Sequence, residues 1–129
     1  MAWILIADDD DLVREVWAEV LTKAGHRTLE ARTGRDALEF MGTVVPDLMI
    51  LDLRMPDLSG TDVLHRLQHR PFLRRIPVLI ISGFLDDERA GAELGLNIVA
   101  RLPKPITLAR LREVVASALS QPPHPLPSL

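Results

Sequence analysis

The chain contains no cysteine. Disulfide bridges, thiolate metal sites and cysteine nucleophiles are therefore excluded, and a reducing compartment fits without being required. Aromatic residues make up only 4% of the sequence and are not interleaved with a basic stripe. Fifteen Lys and Arg face eighteen Asp and Glu, for a formal net charge of −3, and Arg66, Arg70, Arg74 and Arg75 read as a solvated face. That distribution lacks the electrostatic footprint of a nucleic-acid binder. Long apolar runs are also absent. The run at residues 3–7 is too short for a signal peptide or a membrane span, and aspartates follow it where a signal peptide needs small residues. The expectation is a cytoplasmic protein with no membrane segment. His26, His65, His69 and His124 show no metal-ligand spacing; His65 and His69 stand four apart on one helix face, which again suits solvent.

What is present suits one domain. The chain has 129 residues, of which 47% are hydrophobic, enough for a core without covalent staples. Residues 4–7 and 48–51 are short, continuous apolar runs, the pattern of strands buried on both faces. Residues 26–31, 78–81 and 97–102 complete a set of five strands. Helical spacing appears over 11–24, with Val13, Val16 or Trp17, Val20 and Ala24 on one stripe, and again over 35–41, 61–69, 86–94 and 107–119. Gly25 stops the first helix, and Pro56, Asp57, Ser59 and Gly60 supply turn chemistry in the loop at 53–60. Strands alternating with helices five times predict an open α/β sheet, helices on both faces. Residues 120–129 differ: Pro122, Pro123, Pro125 and Pro127 forbid helix and favour an extended tail or the start of a linker.

In open α/β sheets, ligands bind outside the carboxyl ends of the strands. The first strand ends on Asp8 and Asp9, the third on Asp52 and the fourth on Ser82, and Lys104 follows the fifth between Pro103 and Pro105. Three carboxylates on one edge repel one another, and a divalent cation removes the conflict. Carboxylate oxygens with room for water suit Mg²⁺. A lysine and a small hydroxyl opposite the metal would hold further oxygens of an anion, and a group attached to an aspartate fits the set.

These residues resemble the receiver (CheY-like) domain of two-component response regulators. The likeness rests on Asp8-Asp9 after ILIA, the stretch LDLRMPDLSG around Asp52, Ser82 after VLII, and Lys104-Pro105, and it covers about residues 2–119. It implies a three-layer, doubly wound (βα)5 fold with a parallel sheet of order 2-1-3-4-5, a receiver over residues 1–119 and a tail over 120–129. It implies that Asp52 accepts a phosphoryl group from the phosphohistidine of a sensor histidine kinase or phosphotransfer protein. It implies Mg²⁺ (or Mn²⁺) held by Asp8, Asp9, Asp52 and the Arg54 backbone carbonyl, phosphoryl contacts from Ser82 and Lys104, and a cis Lys104-Pro105 bond. Such a domain is a signalling module and not a turnover enzyme. It works on an output partner or domain that the site does not name, and the family's usual homodimer face is the fourth helix, fifth strand and fifth helix.

Taken singly, each residue has a plainer reading. Asp10 and Asp11 suit helix capping and the helix dipole, Asp57 suits a turn, and Asp52 alone is equally an Asx-turn residue. Trp3 and Trp17 suit the core or an interface. Two positions depart from the family. Arg101 stands three before Lys104, where an aromatic residue is usual, and should point outward or pair with an acid. Phe84 stands two beyond Ser82 and could restrict attacking water. A phosphohydrolase with an aspartate nucleophile would want a second aspartate at position 54, where Arg54 stands; a pseudo-receiver would not need all five site residues.

Overall fold

The computed structural model describes residues 1–83 and 89–121. Its elements are β1 (Trp3–Ala7), α1 (Asp11–Lys23), β2 (Arg27–Ala31), α2 (Gly34–Met41), β3 (Leu48–Leu51), α3 (Gly60–Leu67), a 3₁₀ turn (Leu73–Arg75), β4 (Val78–Ser82), β5 (Ile98–Pro103) and α4 (Leu108–Ser120). The five strands form one parallel sheet of order β2-β1-β3-β4-β5, as expected.

Strand alternation sorts the core into two halves. Leu5, Ala7, Met49, Leu51, Val78 and Ile80 face one layer, filled by Ala37 and Met41 of α2 and Val63, Leu64 and Leu67 of α3. Ile4, Ile6, Leu48, Ile50, Leu79 and Ile81 face the other, filled by Trp17, Ala18 and Leu21 of α1 and Leu111, Val114, Val115 and Ala118 of α4. Because both faces are covered, β1, β3 and β4 read as unbroken apolar runs. Each fully buried Leu or Ile contributes on the order of 1.5–3 kcal/mol.

The helices start where side chains cap them. Asp10 accepts from the backbone N–H groups of Leu12 and Val13, Thr33 from Asp36, and Thr107 from Arg110. Ser59 and Asp62 form a reciprocal capping box at α3.

Two expectations change. The buried face of α1 is Arg14, Trp17, Ala18 and Leu21; of the expected stripe of Val13, Val16 or Trp17, Val20 and Ala24, Trp17 is buried, Val13, Val16 and Val20 are partly buried and Ala24 is exposed. Trp17, Ala18 and Leu21 fill the core on this face, and Arg14 is buried beside them, paired with acids described below. Of the helix expected over 86–94, residues 86–88 lie outside the described residues and 89–95 form successive turns, so four α-helices stand among the described residues. The fifth expected helix is α4, which runs through Ser120; residues 122–129 of the expected tail lie outside the described residues.

Candidate functional site

Parallel register delivers the site. β1 lies between β2 and β3, so the residues just past Ala7 and Leu51 emerge side by side. The backbone N–H of Asp8 donates to Ala31 O at 3.0 Å and that of Asp52 to Ala7 O at 2.9 Å, which continues the ladder one step beyond the strands. On the far side the Lys104 N–H donates to Ser82 O at 3.0 Å, just before the cis Lys104-Pro105 bond. The expected residues Asp8, Asp9, Asp52, Ser82 and Lys104 thus meet at one edge.

Their side chains are specifically paired. Lys104 Nζ donates to Asp8 Oδ2 at 2.6 Å and to Asp52 Oδ2 at 3.1 Å. Ser82 Oγ donates to Asp52 Oδ1 at 3.1 Å, and the Arg54 backbone N–H donates to the same oxygen at 3.2 Å. Asp8 Oδ1 accepts from the Asp10 N–H at 2.9 Å. Asp8, Asp52 and Ser82 are buried, whereas Asp9 is exposed. One carboxylate oxygen from each of Asp8, Asp9 and Asp52 falls within a 4.8 Å cluster, so the three could hold a metal ion. Two buried and one exposed carboxylate, all oxygen donors and open to water on one side, fit a hard divalent cation such as Mg²⁺.

Burial pushes the Asp8 carboxyl above the ordinary aspartate value, although the hydrogen bond and charge of Lys104 pull the other way. Burial also pulls the Lys104 ammonium down, but the hydrogen bonds and charges of Asp8 and Asp52 outweigh it, so Lys104 titrates above an ordinary lysine. The two shifts follow from burial of the acids and from the ammonium that they share.

One site residue was not legible in the sequence. Arg14 is buried; its Nη1 donates to the Asp8 carbonyl at 2.8 Å, its Nη2 to Asp11 at 2.6 Å and its Nε to Glu30 at 3.2 Å. Burial opposes its charge, but Asp11 and Glu30 more than compensate and hold its pKa up. The spacing of Asp11 and Arg14 in one helix turn hints at that pair; the contact with β2 carries no local signal.

The plainer assignments divide. Asp10 caps α1 and Asp11 sits in its first turn. Asp57 occupies a turn at φ 67°, 4.0 Å from Arg35. Trp17 is core, while Trp3 is half-buried with Arg27 stacked 5.3 Å from its ring centre. His65 and His69 are exposed. Arg101 is half-buried rather than pointing freely outward; its Nη1 is enclosed without a hydrogen-bond partner, and no ion pair joins it to an acid among the described residues, which leave out Asp86, Asp87 and Glu88. Burial and the nearby charge of Arg89 lower its pKa. Phe84 lies outside the described residues.

A groove of about 570 Å³ opens beside the cluster, lined by Asp9, Arg54, Met55, Pro56, Ser59 and Thr61. A larger one, about 700 Å³, lies away from it; Ala2, Asp47 and Pro77, near the amino ends of the strands, are among its walls.

A parallel 2-1-3-4-5 sheet whose carboxyl edge gathers three carboxylates, a hydroxyl and an ammonium defines the class of protein. The model of the response regulator receiver domain matches residues 4–116, and the chain belongs to that family, a component of two-component signalling. It is similar to the polar-differentiation response regulator DivK of Brucella ovis, with 30% identity over 90% of this chain and 94% of that protein. Among solved structures it resembles one from Chloroflexus aurantiacus J-10-fl, described as a response regulator, at TM-score 0.83 and 31% identity over 93% of this chain and 98% of that one. It also resembles the signal receiver domain of a signal transduction histidine kinase from Syntrophus aciditrophicus, at TM-score 0.82 and 30% identity over 93% and 91% of the two chains. No helix among the described residues is long and apolar enough to cross a membrane.

Proposed function

We propose that the chain accepts a phosphoryl group on Asp52 from the phosphohistidine of a sensor histidine kinase or phosphotransfer protein, with Mg²⁺ (or Mn²⁺), and changes its binding to an output partner as a result. The observation that carries this reading is the environment of Asp52. One of its oxygens faces Ser82 and the Arg54 N–H, the other faces Lys104, and the carboxylates of Asp8 and Asp9 adjoin it. An aspartate whose only task was to close a turn would need one of these partners and none of the acids.

In the transfer, an Asp52 carboxylate oxygen forms the new P–O bond as the P–N bond to the donor imidazole breaks. The departing nitrogen keeps the electron pair. Ser82 Oγ and Lys104 Nζ, now on Asp52, would turn to the phosphoryl oxygens, and their donors are already aimed at the acceptor. Asp8, Asp9, Asp52 and the Arg54 backbone carbonyl would hold the metal, which when bound supplies charge neutralisation between acceptor and phosphoryl oxygens. The groove beside Asp9 and Arg54 leaves the approach to this edge open. Hydrolysis of the acyl phosphate would restore the Asp52 carboxylate and release phosphate.

Arg54 leaves no acid two residues beyond Asp52, so this domain is a signalling module rather than a phosphohydrolase with turnover. A cytoplasmic location and a homodimer through the face of the expected fourth helix, β5 and α4 belong to the same reading. Incubation with Mg²⁺ and acetyl phosphate, read by intact mass, tests the proposal. One added phosphoryl group, absent in Asp52→Asn, is the expected result. No addition from acetyl phosphate or a histidine kinase would make the chain a pseudo-receiver.

A further inference from the structure

Lys104 has a third neighbour besides its two carboxylates. Its Nζ lies 5.9 Å from the centre of the Trp17 ring, within the range over which an ammonium is attracted to an indole face. Trp17 sits on the inward face of α1, only 5% exposed and packed in the core half that also holds Ile4, Ile6 and Leu111. Its ring is therefore fixed by packing, whereas the Lys104 side chain is a flexible stem ending in a partly open site.

Asp8 and Asp52 are poor permanent anchors for that ammonium. Both belong to the carboxylate cluster that fits a divalent cation, and a cation there draws on the same carboxylates and repels the lysine. The indole face has neither liability. It offers no oxygen to a metal, cannot be phosphorylated, and attracts only the cation.

We propose that Trp17 is a positioning residue for Lys104, holding the ammonium on its ring face beside Asp52 when the carboxylates turn to a bound cation. The inference rests on the phosphoacceptor reading for its purpose, but the contact itself can be tested without it. The sequence provides the control, because Lys23 is the only other lysine and is 75% exposed on the surface of α1.

In metal-free protein, the ring current of Trp17 should move the ε-CH₂ proton resonances of Lys104 upfield of those of Lys23. The displacement should persist on addition of Mg²⁺ and vanish in Trp17→Leu. The rate of phosphorylation by acetyl phosphate should fall roughly threefold to tenfold in Trp17→Leu, the range expected of one lost cation–π contact. Trp17→Phe should recover most of that rate, since a phenyl face also attracts an ammonium, whereas a residue wanted only for bulk would be replaced equally well by Leu. Coincident Lys104 and Lys23 resonances in the unmodified protein, or an unchanged rate in Trp17→Leu, would overturn the assignment. Failure of the unmodified protein to gain mass would instead overturn the phosphoacceptor reading, and the lysine resonances would still decide the contact.

Discussion

Lys104 Nζ stands 2.6 Å from Asp8 Oδ2 and 3.1 Å from Asp52 Oδ2, so a single ammonium ties the end of the first strand to the end of the third. Both acids are buried. Replacing Lys104 by Met leaves two enclosed carboxylates without their cation, and breaking a buried pair from one side is costly. The expected loss is about 2–4 kcal/mol at neutral pH in metal-free buffer, read by urea unfolding. Adding Asp8→Asn to Lys104→Met should return part of it; further destabilisation would contradict the pairing.

Acid–base titration should expose the same tension. The Asp8 carboxyl is raised in the fold, so its contribution to stability is fully present below its unfolded value of 3.8 and is lost as pH climbs through the folded value. Lys104 is also raised, so its contribution is fully present below 10.5 and is lost as pH climbs through its higher folded value. The stability advantage of the unmodified protein over Asp8→Asn should therefore shrink as pH rises above 3.8. The advantage over Lys104→Met should hold until pH passes 10.5. Urea midpoints over that range, with chelator present, check both slopes.

Substitution of Asp9 tests the proposed metal binding apart from folding. It is exposed and makes no side-chain hydrogen bond among those described, yet it completes the carboxylate cluster. Asp9→Asn should leave the metal-free melting temperature nearly unchanged and abolish the rise produced by Mg²⁺. At tenfold excess over the dissociation constant that rise corresponds to about 1.4 kcal/mol. A full Mg²⁺ response in Asp9→Asn would remove this residue from the metal set.

Arg14→Leu strips a hydrogen bond from the Asp8 carbonyl and a charge partner from Asp11, which keeps Arg32 at 3.5 Å, and from Glu30. A destabilisation of roughly 1–3 kcal/mol is expected from the unsatisfied groups, measured by urea unfolding. Arg14→Lys should recover only part, because an ammonium cannot reproduce the three-way fork.

Gly60 admits no side chain. A Cβ there would fall 2.2 Å from the Asp52 carbonyl oxygen and 2.7 Å from Leu53 Cα, both backbone atoms. Gly60→Ala must push the Asp52–Leu53 segment aside, at about 1–3 kcal/mol. Thermal melts should show that loss, and acetyl phosphate should label Asp52 more slowly than in the unmodified protein.

Much of this architecture is visible in the sequence because buried parallel strands leave an unmistakable mark. Residues 4–7 and 48–51 are purely apolar and stop on aspartates, and the structure ends β1 and β3 on Ala7 and Leu51. What escapes is determined by distant partners. Arg14 is buried and reaches Glu30 in β2, and no local pattern announces an arginine as a core residue. Lys104 and Asp8 are 96 positions apart, so their pairing is a product of topology alone. Arg101 differs again: it is half-buried with its Nη1 enclosed and unpartnered among the described residues, and neither its spacing nor its neighbours in the chain announces that.

The scattering of these residues along the chain has its own consequence for quality control. The proposed acceptor is at position 52, its acidic neighbours lie more than forty residues before it, and its lysine lies 52 residues after it. No fragment ending before residue 104 carries the full set, and an unfolded chain holds the members apart. On the proposed phosphoacceptor reading, the full set of side chains would be assembled only once the chain through Lys104 has folded. Phosphorylation of this chain would report its integrity as well as its signal.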